Sequence, residues 1–125
     1  MAKALRIAFI WDWNICPEQA ITWQDGLAAA LRVIAKNHNV ILFTIDETRP
    51  DYVFPHPYFP IHVKQNGDNL RLHIKELKPD VILHWGDMTR PNGSVGTELG
   101  IPQAICFAGG HMEGPSLMHM DHIFV

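Results

Sequence analysis

The chain has 125 residues, 47% of them hydrophobic and 18% charged, with a formal net charge of -3. That length fits one domain with a sizeable core, and the scattered Lys and Arg supply no basic face for nucleic acid. No apolar run approaches the ~18 residues of a bilayer span, and the run after Arg6 is cut at Asp12 with no small-residue cleavage site, so neither a membrane span nor a signal peptide is expected.

The cytoplasm is therefore the default location. Cys16 and Cys106 stand in no metal-type spacing and read as free thiols of a reducing compartment. Eight His make the net charge pH-dependent near neutrality.

Five short apolar runs organise the sequence: residues 5–11, 40–45, 81–85, 101–107 and 122–125. Apolar runs without polar alternation mark strands covered on both faces. The expected fold is α/β, a single Rossmann-like domain with a doubly wound, mainly parallel sheet flanked by helices. In such sheets ligands bind beyond the carboxyl ends of the strands. Asp12, Asp46, Gly86-Asp87 and Gly109-Gly110 fall at those ends.

After the first strand, Trp11-Asp12-Trp13-Asn14 enters a loop closed by Cys16-Pro17. A first helix follows, with Trp23, Leu27, Leu31, Ile34 and Ala35 on one stripe and Gln24, Arg32 and Lys36 off it. Thr22 and Asp25 resemble a capping box, or Pro17-Glu18 starts the helix a turn earlier. Asn37-His38-Asn39 is the expected stop, since Asn tolerates the left-handed conformation. Residues 40–45 form the second strand.

Residues 47–60 interrupt the rhythm. Pro50, Pro55, Pro57 and Pro60 forbid helix, and Tyr52, Phe54, Tyr58 and Phe59 interleave with them. This stretch is either a loop tucked onto its own domain or an exposed aromatic partner surface. Residues 61–63 read as a short strand near a sheet edge, where the preceding Pro is tolerated. Asp68 is the expected cap of a second helix with Leu70, Ile74 and Leu77 on one face, ended by Lys78-Pro79. Then come the strand at 81–85, a short helix at 94–99 capped by Ser94 and stopped by Gly100, and the strand at 101–107. A Gly109-Gly110-His111 loop leads to the last strand at 122–125. A doubly wound domain rarely stops on an uncovered strand, so the chain reads as the amino-terminal part of a longer one.

Several signatures do not occur. No G-x-G-x-x-G follows the first strand, no G-x-x-x-x-G-K-[ST] occurs, and no G-x-S-x-G elbow is present. No cofactor is implied. His111, His119, Asp121 and His122 match no zinc spacing, and no metal site is expected.

Aromatic rings beside short carboxylates and amides suit a sugar, whose ring faces stack and whose hydroxyls are hydrogen-bonded. Asp12, Trp13 and Asn14 offer that combination, with Trp23 and Asp25 serving either in it or as packing and cap. His84 is either a ligand-orienting or proton-transfer group, or a histidine satisfied by a backbone carbonyl under a helix. Asp87 leaves the same strand two residues beyond Trp85. Gly109 and Gly110, with His111, either bring the backbone close to a ligand or permit a tight turn.

Taken in order, these segments carry a resemblance. Residues 23–31, running to His38-Asn39-Val40, resemble the first helix and second strand of GT-B class glycosyltransferases, which are built from two Rossmann-like domains. Lys78-Pro79-Asp80-Val81-Ile82-Leu83-His84-Trp85-Gly86 is similar to that family's Lys-Pro-Asp-Val-Ile-His-x-His-Gly segment. Gly100-Ile101-Pro102 is similar to its Gly-Ile-Pro strand entry, and residues 121–125 to the strand after it.

The resemblance implies an acceptor-side domain, with the nucleotide-sugar donor held mainly by a second, carboxyl-terminal domain. Asp12, Trp13, Asn14, Gly109, Gly110 and His111 would face the cleft, with His84 and Asp87 near it. This chain departs in lacking the family's glycine-rich turn after the first strand, which Trp11-Asp12-Trp13-Asn14 replaces. No catalytic base is assigned, and the isolated chain is expected to be inactive. The alternative is a non-catalytic α/β ligand-binding or regulatory domain. A phospho-accepting receiver is disfavoured because it needs more carboxylates than Asp46 supplies.

Overall fold

The computed structural model describes residues 3–11, 31–55, 60–85, 91–106 and 121–124. Its strands are β1 (Arg6–Trp11), β2 (Asn39–Ile45), β3 (Tyr52–Phe54), β4 (Ile61–Lys64), β5 (Val81–Trp85), β6 (Gln103–Cys106) and β7 (His122–Phe124). Helical segments are α1 (residues 31–35), α2 (Gly67–Leu77) and α3 (Val95–Leu99), the last preceded by a 3-10 turn, Pro91–Ser94.

The seven strands among the described residues form one sheet in the order β3-β4-β2-β1-β5-β6-β7. Every pairing is parallel except that of β3 with β4. With β3 set aside, the parallel strands lie in the order third, second, first, fourth, fifth, sixth.

The centre of the sheet explains the unbroken apolar runs. In β1 every residue from Ile7 to Trp11 is buried, because helices lie on both faces. Ile7, Phe9 and Trp11 point one way, to Val40, Leu42, Ile61 and Val63 and to Leu31 of α1. Ala8 and Ile10 point the other way, to Phe43, Ile82, Leu70 and Ile74 of α2, and Val95 of α3. Each large side chain buried this way contributes about 1.5–3 kcal/mol of transfer free energy.

Two aspartates set register at the amino end of the sheet by the same device. Asp80, just before β5, accepts from the Arg6 backbone N–H (2.8 Å) and returns its own N–H to the Arg6 carbonyl (2.8 Å). Asp121, just before β7, does the same with Gln103, both bonds again 2.8 Å.

Four details differ from the sequence expectations. The stretch at 47–60 contains a strand, β3, where only a loop was expected. Tyr52 and Phe54 pack inward on the α1 face while Val53 is 54% exposed, a period of two that the flanking prolines obscure. Being outermost, β3 tolerates prolines on both sides, and it moves β4 one place in from the edge. Pro60 costs β4 nothing, because its carbonyl is what β2 uses, accepting from the Leu42 N–H at 3.1 Å.

The cap of α2 is Asn66 rather than Asp68. Asn66 has extended backbone and accepts from the Asn69 N–H at 2.8 Å, leaving Asp68 in the first turn where a carboxylate favours the helix dipole. The Asn37-His38-Asn39 stop uses no left-handed residue. Asn37 and His38 instead donate to the Ile34 carbonyl at 3.2 and 3.0 Å, and His38 Nδ1 accepts from the Leu5 N–H at 2.9 Å. Among the described residues the left-handed ones are Lys78 (φ 52°) after α2 and Gly100 (φ 70°) after α3. Ser94 precedes α3 as expected but makes no side-chain cap; its Oγ donates to Glu98 Oε2 at 3.1 Å.

Candidate functional site

The parallel pairing brings the strand exits together. Trp11 is in register with Trp85, Trp85 with Cys106, and Cys106 with Phe124. One line across the sheet therefore ends β1, β5, β6 and β7, and the segments that follow β1, β5 and β6 depart from the same edge. Asp12, Trp13, Asn14, Asp87, Gly109, Gly110 and His111 belong to those segments and lie outside the described residues, as do His119, Trp23, Asp25, Tyr58 and Phe59. Among the proposed contacts, His84 is the one whose surroundings the structure describes.

His84 is 3% exposed, on the α2 and α3 face of β5. Its Nε2 lies 2.8 Å from Oε1 of Gln103, which is 1% exposed. The same Oε1 accepts from the Gly96 backbone N–H at 3.0 Å, while Gln103 Nε2 donates to the Gly93 carbonyl at 2.8 Å. Gly96 N–H is an unambiguous donor, so the atom facing it is the amide oxygen. His84 must then carry its proton on Nε2 and present Nδ1 as the remaining acceptor. Burial is the main influence on the ring and lowers its pKa to about 4 against a smaller opposing effect of the Gln103 bond. The ring is neutral at pH 7.

The partner of His84 is thus a side-chain amide on the next strand rather than a backbone carbonyl. Gln103 sews β5, β6 and the Pro91–Leu99 segment together with three buried bonds. Polar groups placed this way in an interior must all be satisfied, and these are.

A second clasp fixes the same segment from outside. Arg71 of α2 donates from Nε to Glu98 Oε2 (2.9 Å) and from Nη1 to Asn92 Oδ1 (2.8 Å) and the Gly67 carbonyl (3.1 Å). Asn92 is 4% exposed. The turn that follows β5 is held between Gln103 beneath and Arg71 beside it. Gln103, Arg71 and Asn92 were not singled out from the sequence. Gln103 alone left a signal there, as the one polar side chain of the apolar run 101–107.

Beyond β2, Asp46 is buried and already committed. It accepts from Thr48 N–H (3.0 Å), Thr48 Oγ1 and Arg49 Nε (3.0 Å), and these bonds, Thr48 first, hold its carboxyl below the ordinary range. Arg49 stacks 4.5 Å from the Tyr52 ring centroid and donates from Nη2 to Tyr52 Oη at 2.6 Å, which ties β3 to the end of β2. Asp46 builds the turn into β3.

Among the described residues no three His, Cys, Asp or Glu side chains are grouped to hold a metal ion, and no helix is long and apolar enough to cross a membrane. Asp121, grouped with three histidines in the sequence reading, has Oδ2 on the Gln103 N–H. No protein-family model matches the sequence, and no curated protein matches it either.

Proposed function

We propose that this chain is the Rossmann-like, doubly wound acceptor-side domain of a GT-B class glycosyltransferase, which moves a sugar from a nucleotide-sugar donor to an acceptor in a cleft completed by a second domain. The observation that carries the reading is the common exit edge defined by Trp11, Trp85 and Cys106. It is where a ligand crevice belongs in a sheet whose parallel strands follow this order. The segments resembling the family (residues 78–86, 100–107 and 121–125) supply three neighbouring strands of that order, β5, β6 and β7.

In this reading Asp12, Trp13 and Asn14 bind the acceptor, with rings stacking on a sugar face and the carboxylate and amide accepting from and donating to hydroxyls. Gly109, Gly110 and His111 offer backbone from the next exit but one. His84, being enclosed, acts through Gln103 and Gly96 to position the turn at 91–96, while Asp87 serves as a further substrate contact. Proton removal from the acceptor is left to a group outside the described residues.

The test is a transfer assay on the complete polypeptide that carries this chain, supplied with nucleoside-diphosphate sugars and read as released nucleoside diphosphate. Asp12→Ala is expected to lower turnover by about tenfold or more with an unchanged melting temperature. No release with any such donor, together with saturable binding of a small molecule that Asp12→Ala abolishes, would make the chain a non-catalytic ligand-binding domain instead.

A further inference from the structure

His62 and His73 meet in the seam between the sheet and α2. His62 lies on β4, on the face that α2 covers, and His73 descends to it from the middle of that helix. Their ring centroids are 4.6 Å apart at an interplanar angle of 89°. Phe43, fully buried on β2, closes the triangle at 5.1 Å from His73 and 5.5 Å from His62.

Edge-to-face packing of this kind suits neutral rings. A proton on either imidazole puts charge into a half-dry seam, and protons on both set two like charges within a ring's width of each other. The charged neighbours do little to offset this. Lys64, two residues along β4 on the same face, adds a further positive charge. Asp51, ahead of β3, is already held by Gln65 N–H (2.8 Å), Asn69 Nδ2 (3.2 Å) and Lys64 Nζ (3.4 Å). Glu76 of α2 is exposed, and β2 contributes the uncharged Phe43.

We propose that the His62–His73–Phe43 stack is an acid-sensitive latch, holding α2 against the sheet at neutral pH and releasing it when the imidazoles are protonated. Burial lowers the His62 pKa to about 4, aided by His73 and Lys64. Burial also lowers that of His73, aided by Lys64 and opposed by Glu76 and Asp51. The opened state has the ordinary pKa of 6.5, so it takes up protons first, and the closed seam loses stability as pH falls from 6.5 through about 4. Because Arg71 of α2 grips Asn92 and Glu98, release of the helix also loosens the turn that follows β5.

Amide hydrogen exchange at pH 7 and pH 5, corrected for the intrinsic rate, tests the latch. The protection of α2 amides should fall about tenfold more than that of β1 amides, after allowance for partial solvent screening of the seam. His73→Phe and His62→Phe, which keep an aromatic edge or face without a titrating group, should each shrink that difference. His84 also titrates in acid, but it lies by α3, and its effect persists in both variants. Equal loss of protection in α2 and β1, or an undiminished difference in His73→Phe, overturns the proposal. Should the variants not fold, the ring proton shifts of the unaltered chain decide it: His62 and His73 titrating together near 6.5 overturn it, and depressed midpoints uphold it.

Discussion

Nε2 of His84 and Oε1 of Gln103 lie 2.8 Å apart across β5 and β6, on a diagonal, since His84 pairs in register with Ile105 and Gln103 with Ile82. That diagonal places one amide under two backbone groups of the next segment. Gln103→Leu keeps the volume and removes every bond, stranding the Gly96 N–H, the Gly93 carbonyl and the His84 ring. It should cost roughly 2–4 kcal/mol in urea denaturation, against a smaller loss for His84→Leu, which leaves the two backbone bonds in place.

Acid should weaken the fold through the same pair. The folded-state pKa of His84 is about 4 and its ordinary value 6.5, so the unfolded chain binds the proton first. Stability from this group is complete above 6.5 and is lost as pH falls through about 4, with roughly 2–3 kcal/mol gone by pH 4.5. Denaturation midpoints measured between pH 7 and 4.5 should fall steadily in the unaltered chain and less steeply in His84→Leu.

Gly96 and Gly100 make a paired test. A Cβ on Gly96 would sit 2.5 Å from Gln103 Oε1 and 2.7 Å from the Ile101 carbonyl, whereas one on Gly100 would meet nothing within 4 Å. Gly96→Ala should therefore lower stability by roughly 3 kcal/mol through crowding. Gly100→Ala should cost about 1–2 kcal/mol, for its left-handed backbone alone. Thermal melts of the two variants should rank them in that order.

Lys78 closes α2 with φ 52° and donates its N–H to the Ile74 carbonyl at 3.0 Å. Lys78→Gly removes the Cβ penalty of that conformation and should raise stability by up to about 1 kcal/mol. Lys78→Ala, which keeps the Cβ, should leave the melting temperature close to that of the unaltered chain.

Much of the sheet was legible because parallel strands covered on both faces must be apolar throughout. The runs at 5–11, 40–45, 81–85, 101–107 and 122–125 each contain a strand, and Leu70 and Ile74 repeat at helical spacing where α2 lies. β3 was obscured because Tyr52 and Phe54 alternate over three residues between prolines, too few for the period to stand out. The sequence points to Asp68 as the cap of α2, but Asn and Asp both suit a helix start, and only backbone geometry selects Asn66.

Sequence alone determined the class of fold and pointed to the edge where the exits gather, because burial on two faces is written in hydrophobic pattern and such strands are characteristically parallel. Tertiary structure alone decided that His84 faces Gln103, that Asp46 is spent on Thr48 and Arg49, and that His62 meets His73. Those partnerships join residues far apart in the chain or choose one of several local bonds. Pattern marks a polar side chain as buried, but only packing names the atom that satisfies it.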